Sequence, residues 1–195
     1  MSKKFIITLF LVVVIMLGFA KFTGSNKTSS DQPVSTPNDS LDAMVGKPAP
    51  DFSLNNQAGK LFKLSDMRGK KVVLFFNEGI ICYPACWNQV AALGSDKDLN
   101  TDKVMTASVV VDNPSDWSSA FKKMPELNKE MLLFDSDKAV SMRYGMLNLG
   151  GSMHKGSKPG HTYIIIDQNG IVRYVKDDAQ MGIRNSELLA EVAKL

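Results

Sequence analysis

The sequence predicts an α/β domain in which helices flank a mixed central sheet. Two strongly apolar runs, residues 72–76 and 104–111, are typical of buried strands in a parallel sheet. Near the C-terminus, the Asn169-Gly170 pair separates two further strand-like runs and predicts a β-hairpin. A helix signal follows each apolar run. This order indicates parallel crossover connections first and an antiparallel pair of strands at the end.

The remaining elements complete this pattern along the chain. An extended segment at 45–54 and a short strand at 61–64 flank a turn, which predicts an N-terminal β-hairpin. The polar segment 112–115 contains Pro114 and predicts the start of a helix that ends near Lys123. We further expect a helix from the cysteine motif to about residue 93, a strand at 132–134, a short helix at 137–144, a glycine-rich loop at 145–160, strands at 162–166 and 171–175, and a last helix capped by Ser186.

The N-terminal 44 residues are predicted to lie outside this domain, which occupies 45–195. Lys3 and Lys4 precede sixteen uncharged residues, so 1–22 are predicted to be a membrane anchor or a signal sequence. The exit from this run is a poor cleavage site, which favours the uncleaved anchor. Residues 23–44 are rich in Ser, Thr, Asn, Asp and Pro, which predicts a flexible polar linker.

The distribution of charges indicates where the domain is located and which partners it lacks signals for. Lysines ahead of the apolar run favour export of the rest of the chain, which places the domain outside the cytoplasm, in a periplasm or at the cell surface. A net charge of +3 without a basic stripe gives no indication of nucleic-acid binding. Outside the reducing cytosol, a cysteine pair is oxidised unless a separate reductant resets it.

Both cysteines of the chain lie in one motif, Cys82-x-x-x-Cys86, which follows the first apolar run. Pro84 fits the first turn of a helix, so Cys82 is predicted in a strand-to-helix loop and Cys86 in the first helical turn. A helix N-terminus carries unpaired N–H groups and a partial positive charge, which stabilise a thiolate. The thiolate is the nucleophile, so the motif predicts an attacking sulfur and a resolving sulfur.

Two other interpretations of the pair remain open. Two thiolates also suit copper(I) or zinc. A purely structural disulfide would contribute roughly 2 kcal/mol for so short a loop, and a domain of this size does not need it. A c-type haem site is excluded because Trp87, not histidine, follows Cys86.

Four stretches, taken together and in this order, carry a family resemblance. They are 45–54 (VGKPAPDFSL), 64–70 (LSDMRGK), 76–86 (FNEGIICYPAC) and 161–170 (HTYIIIDQNG). They resemble thioredoxin-fold redoxins of the alkyl hydroperoxide reductase/thiol-specific antioxidant family, which are peroxiredoxin-like. The resemblance implies a thioredoxin-like fold and a thiol oxidoreductase that reduces hydroperoxides or exchanges protein disulfides. It also implies that Cys82 attacks, that Cys86 resolves, and that an external thiol reductant resets the pair without a cofactor.

The chain departs from this family at the site itself. The Pro and Thr that help hold the peroxide in typical peroxiredoxins fall on Phe75 and Gly79, and the family's arginine falls on His161. We expect His161 to face Cys82 and to tune its thiol, relay a proton or bind a metal. Glu78 is expected to be a base for Cys86, a water-positioning group, or a solvated turn carboxylate.

Two further functions remain as alternatives. The same fold includes Sco-type copper chaperones, which carry Cys-x-x-x-Cys and a distant histidine. The corresponding copper ligands here are Cys82, Cys86, His161 and His154, although the Sco motif has Pro directly after each cysteine. His154 is otherwise expected to be a loop residue without a role. A non-catalytic interaction domain is the second alternative, in which Cys82→Ser leaves every activity intact.

Overall fold

The computed structural model describes residues 41–195, and these form one seven-stranded sheet with helices packed on it. The strands are β1 (Ser53–Asn56), β2 (Leu61–Lys63), β3 (Lys71–Phe76), β4 (Val104–Val110), β5 (Leu132–Phe134), β6 (Thr162–Ile166) and β7 (Val172–Asp177). The helices are α1 (Ala85–Ser95), α2 (Trp117–Lys123), α3 (Ala139–Arg143) and α4 (Asn185–Ala193). Short 3₁₀ turns occupy Leu64–Met67, Gly79–Ile81, Pro114–Asp116, Pro125–Lys129 and Met146–Asn148.

The sheet is mixed, as the order of sequence signals predicted. Its strand order is β2-β1-β5-β4-β3-β6-β7. Strands β3, β4 and β5 are parallel, whereas β6 pairs antiparallel with β3 and β7 pairs antiparallel with β6. The N-terminal hairpin of β1 and β2 joins the sheet through an antiparallel pairing of β1 with β5. The α/β, thioredoxin-like prediction with an N-terminal β-hairpin is therefore confirmed.

Strand β3 lies inside the sheet, between β4 and β6, and contributes side chains to two core clusters. Its side chains alternate between the two faces, so Leu74 packs in one cluster and Phe75 in the other. Both are fully inaccessible to solvent. Burying a side chain of this size stabilises a fold by about 1.5–3 kcal/mol. The end of β3 is thus a rigid support for the loop that follows it.

Two predicted boundaries differ from the structure. The linker was predicted to continue to Met44, but Leu41 is buried in the core and Met44 packs against it, so ordered packing begins at least four residues before Val45. The last helix begins at Asn185 and not after Ser186, because the Asn185 side chain donates to Ala92 O and ties the start of α4 to α1.

The predicted anchor at 1–22 and most of the predicted linker lie outside the described residues. Between residues 41 and 195, no helix has both the length and the apolar character that crossing a membrane requires.

Candidate active site

The cysteine pair lies at the C-terminal end of β3, between that strand and α1. Cys82 ends the Gly79–Ile81 turn, where its N–H donates to Gly79 O at 3.2 Å. Cys86 is the second residue of α1. Both placements match the prediction from Pro84 and the apolar run. This edge of a parallel sheet is where open α/β folds hold their sites.

The two sulfurs are bonded to each other in the structure, and their surroundings differ. Their Cα atoms are 5.4 Å apart, within the usual range for a disulfide. Cys82 is half-buried, whereas Cys86 is fully buried. An external thiol therefore reaches the Cys82 sulfur more easily, and Cys86 is then the sulfur that leaves.

His161 contacts Cys86, so the prediction that it faces Cys82 is wrong. The distance from His161 Nδ1 to Cys86 Sγ is 3.7 Å. Cys86 turns into the core from the first turn of α1, whereas Cys82 stays in the exposed turn before it. Burial lowers the pKa of His161 to about 4, so the imidazole is neutral at pH 7. A neutral imidazole can accept a proton from a thiol or donate a hydrogen bond to it, depending on its tautomer.

Tyr163 completes the surroundings of His161 and was not predicted from the sequence. Its hydroxyl oxygen lies 2.8 Å from His161 Nε2, and its O–H donates to Gly182 O at 3.4 Å. The Phe75 ring packs edge-on against His161 with ring centroids 4.5 Å apart. Residues two apart on an extended segment share a face, so the His161-Thr-Tyr163 spacing was an available signal.

Glu78 is buried, so the expectation of a solvated turn carboxylate is wrong. Its Oε1 accepts the N–H groups of Met153 at 2.6 Å and His154 at 3.2 Å, and the Ser152 hydroxyl at 3.2 Å. Its Oε2 lies 3.2 Å from His154 Nδ1. Within the described chain, these hydrogen bonds go to residues 152–154 and not to Cys86. Glu78 therefore fastens the long glycine-rich loop to the cysteine loop.

Asp112 was predicted only as part of a helix start, yet it joins three segments around the cysteine loop. Its carboxylate accepts the Ile80 N–H at 2.8 Å, the Trp117 indole N–H at 3.1 Å and the Lys158 ammonium at 2.6 Å. Gly79 has φ +71°, and a Cβ there would collide with this carboxylate. The departure from the family's threonine is thus required by Asp112 and by the backbone.

The two histidines of the copper alternative have different partners. His154 bonds Glu78, whereas His161 lies between Cys86 and Tyr163. Among residues 41–195, no three or more His, Cys, Asp or Glu side chains are grouped closely enough to hold a metal ion.

The fold and the cysteine pair at the end of β3 define a peroxiredoxin-like redoxin. The family model described as "AhpC/TSA family" matches residues 45–175, well over half of the chain. The chain belongs to the AhpC/TSA family.

Known relatives agree with this assignment. The "Peroxiredoxin Bcp" of Escherichia coli (strain K12) is 30% identical over 136 residues, which cover 69% of this chain and 85% of that protein. The "Putative peroxiredoxin bcp" of Haemophilus influenzae is 35% identical over 103 residues, which are 52% of this chain and 64% of the relative. The chain thus spans less than two thirds of the Haemophilus protein. The Sco-type alternative receives no support from these likenesses.

Solved structures share the fold. The reduced 2-Cys peroxiredoxin of Plasmodium vivax aligns with a TM-score of 0.64 and 24% identity, over 77% of this chain and 80% of that chain. Peroxidoxin BcpB of Mycobacterium tuberculosis aligns with a TM-score of 0.63 and 19% identity, over 78% of this chain and 97% of that chain.

Proposed function

We propose that this chain is a thiol-dependent peroxidase in which Cys82 attacks a hydroperoxide and Cys86 closes an intramolecular disulfide. The observation that carries the proposal is the bonded Cys82–Cys86 pair at the end of β3, in a domain of the AhpC/TSA family. The half-buried position of Cys82 and the full burial of Cys86 support this division of roles.

The proposed cycle balances in three steps. The Cys82 thiolate attacks the terminal peroxide oxygen, gives a sulfenic acid and, with one proton, releases an alcohol or water. The Cys86 thiol then attacks the Cys82 sulfur, and water leaves as the disulfide forms. Two equivalents of an external thiol reductant return both cysteines to the reduced state, with the first attack at the more accessible Cys82 sulfur.

His161 is proposed to act at the second step. Its Nδ1 is 3.7 Å from the Cys86 sulfur, and its pKa of about 4 keeps the ring neutral at pH 7. A neutral imidazole can take the Cys86 proton as that sulfur attacks, and pass it to the departing hydroxide. Glu78 and Asp112 are proposed as positioning residues, because they hold the loops on either side of the pair.

Exchange with protein disulfides is a second candidate function. Ile81 and Tyr83 flank Cys82 and are 49% and 51% exposed, which gives the sulfur an apolar surround suited to a protein partner. Phe75 and Gly79 stand where typical relatives carry Pro and Thr, which favours weaker handling of small peroxides.

We also propose that the N-terminal segment holds the domain at the outer face of a membrane, on the basis of Lys3, Lys4 and the uncharged run after them. In cells that make the full chain, the protein should stay in carbonate-washed membranes. Protease added to intact spheroplasts should digest the domain. A version without residues 5–20 should leave the membrane fraction. Full protection of the domain in intact spheroplasts would contradict the orientation.

The experiment for the peroxidase assigns each sulfur with single substitutions in the reduced full chain. After hydrogen peroxide, Cys86→Ser should hold a Cys82 sulfenic acid that dimedone traps, as a mass increase on that residue. Cys82→Ser should gain no dimedone adduct within the same time. An adduct on Cys86 in the Cys82→Ser variant, formed as fast as on Cys82, would reverse the proposed roles. No adduct on either would reject the peroxidase.

A further inference from the structure

The hydrogen bonds around His161 determine which of its nitrogens carries the proton. Tyr163 has one O–H, and its oxygen has two neighbours: the Gly182 carbonyl at 3.4 Å and His161 Nε2 at 2.8 Å. A carbonyl only accepts, so when the O–H donates to Gly182 the Tyr163 oxygen accepts from Nε2–H. The remaining nitrogen, Nδ1, then presents its lone pair to the Cys86 sulfur at 3.7 Å.

The acceptor for Tyr163 is itself held in place. The Asp178 carboxylate accepts the Gly182 N–H at 3.1 Å and Arg184 Nε at 2.7 Å. The Asp178 N–H donates to the His161 carbonyl at 2.8 Å. Asp178 therefore holds both the backbone of His161 and the Gly182 carbonyl that accepts the Tyr163 hydroxyl.

The side chains that form this relay are buried. His161, Tyr163 and Cys86 are each fully inaccessible to solvent. Water therefore does not replace the tyrosine as the partner of Nε2 without a rearrangement. A buried imidazole N–H without an acceptor is unfavourable, so the tautomer whose N–H has an acceptor is favoured over the other.

We infer that Tyr163 is a positioning residue that holds His161 in its Nε2–H tautomer, so that Nδ1 accepts the proton of Cys86 when that thiol attacks Cys82. The inference rests on the proposed redox role of the pair. In the step concerned, the Cys86 S–H bond breaks, its proton goes to Nδ1, and the sulfur bonds to Cys82 with departure of the group that Cys82 carries. With a sulfenic acid, that group leaves as water.

The tautomer can be measured directly because the chain has only two histidines. With ¹⁵N-labelled histidine in the full chain, the reduced wild type should show His161 as a single Nε2–H tautomer at pH 7. Tyr163→Phe should give a mixture of tautomers, while His154 is unchanged. A wild-type His161 that is protonated on Nδ1, or a Tyr163→Phe spectrum equal to wild type, would overturn the inference.

A chromogenic disulfide tests the consequence for Cys86 without any peroxide. Reaction of the reduced chain with 5,5′-dithiobis(2-nitrobenzoate) loads Cys82 and releases one thionitrobenzoate, and attack by Cys86 then releases a second. Tyr163→Phe should slow the second release by about 10-fold and leave the first within about 2-fold. An equal rate of second release in Tyr163→Phe and wild type would contradict the inference.

A matched control separates the tautomer from a general loss of packing. Tyr174→Phe, on the neighbouring strand β7, also removes one hydroxyl, which donates to Glu187 and not to His161. It should leave both releases at the wild-type rate. If wild type failed to react with hydrogen peroxide, the proposed peroxidase would fall, but the spectra and the second release would still decide the role of Tyr163.

Discussion

Asp112 and Glu130 are both buried carboxyl groups, but their partners differ in kind. Asp112, beside the cysteine loop, is 6% exposed and accepts two N–H groups and the Lys158 ammonium. Glu130, just before β5, is 2% exposed and its carboxyl oxygens are approached by hydroxyls, those of Thr106 at 2.6 Å and Ser108 at 3.1 Å. A nearby cation compensates the first carboxyl group but not the second.

Burial and the neighbouring hydroxyls together determine whether the Glu130 carboxyl group is protonated. The Asn100 side-chain amide donates to the Leu93 and Asp96 carbonyls, so its oxygen is the acceptor for the Thr106 hydroxyl at 2.9 Å. Thr106 has one hydroxyl proton, which Asn100 Oδ1 or Glu130 Oε2 can accept, and the Thr106 N–H also donates to Asn100 Oδ1 at 3.3 Å. Burial raises the pKa of Glu130 to about 8, so at pH 7 the carboxyl group is protonated and can donate its own O–H to a neighbouring hydroxyl.

The comparison of Asp112 and Glu130 shows that the hydrogen-bond donors around a buried carboxyl group determine its charge state and its structural role. Asp112 uses a cation and N–H groups to join segments that frame the cysteine pair. Glu130 is neutral at pH 7 and has the hydroxyls of Thr106 and Ser108 as its partners. Substitutions at the two positions should therefore have different signs and different pH dependence.

The largest effect is expected at Asp112. Asp112→Ala removes the acceptor for three donors and leaves Lys158 without its partner, so it should lower the free energy of unfolding by about 3–5 kcal/mol. Urea unfolding of the full chain, followed by tryptophan fluorescence, measures this. Asp98→Ala, at an exposed position, should change it by less than about 0.5 kcal/mol. Equal losses in both variants would refute the joining role of Asp112.

A smaller, pH-dependent effect is expected at Glu130. Its pKa is raised from 4.5 to about 8 in the folded chain, so its stabilising contribution is complete below about pH 4.5 and is lost as the pH rises toward 8. Glu130→Gln should gain on the order of 2–4 kcal/mol relative to wild type between pH 5 and pH 9. Glutamine keeps a donor for Thr106.

Urea midpoints at pH 5, 7 and 9 measure this difference. Glu191→Gln is the control, because Glu191 pairs with Lys194 in an exposed ion pair and should give a difference close to zero at each pH. Parallel stability curves for wild type and Glu130→Gln would show that Glu130 is ionised in the folded chain.

The smallest effect is expected at His154. Its ring is 45% exposed, and its contact is with Glu78 and not with a cysteine. His154→Ala should leave the rate of disulfide closure within about 2-fold of wild type and the free energy of unfolding within about 1 kcal/mol. His161→Ala should instead slow closure by about 100-fold. Similar rates in the two variants would argue against the role of His161.

The sequence predicted most of the backbone but few of the polar contacts of the site. Apolar runs and turn residues determine strands such as β3 and β4 locally, and this is why their order and the mixed sheet could be predicted. The bonds of Glu78 to residues 152–154 and of Asp112 to Lys158 join segments far apart in the chain. Such pairings depend on how loops approach each other in space, which local patterns do not encode.

The contact of His161 with Cys86 is another feature that the local sequence does not determine. The correspondence with the family's arginine predicts that His161 lies near the pair and faces Cys82, but the structure places it against Cys86. The choice between Cys82 and Cys86 depends on the turn of Gly79–Ile81, which points Cys82 outward and leaves Cys86 under α1.

The rate at which the reduced full chain closes its disulfide with hydrogen peroxide tests the proposed peroxidase most directly. Stopped-flow fluorescence can follow this closure because Trp87 adjoins Cys86 and packs 6.1 Å from the ring of Trp117. Mass analysis of each time point confirms the Cys82–Cys86 product. A peroxidase should close the disulfide at least about 100-fold faster than free cysteine is oxidised under the same conditions. Closure at the rate of free cysteine would contradict the peroxidase and leave exchange with protein disulfides as the function to test.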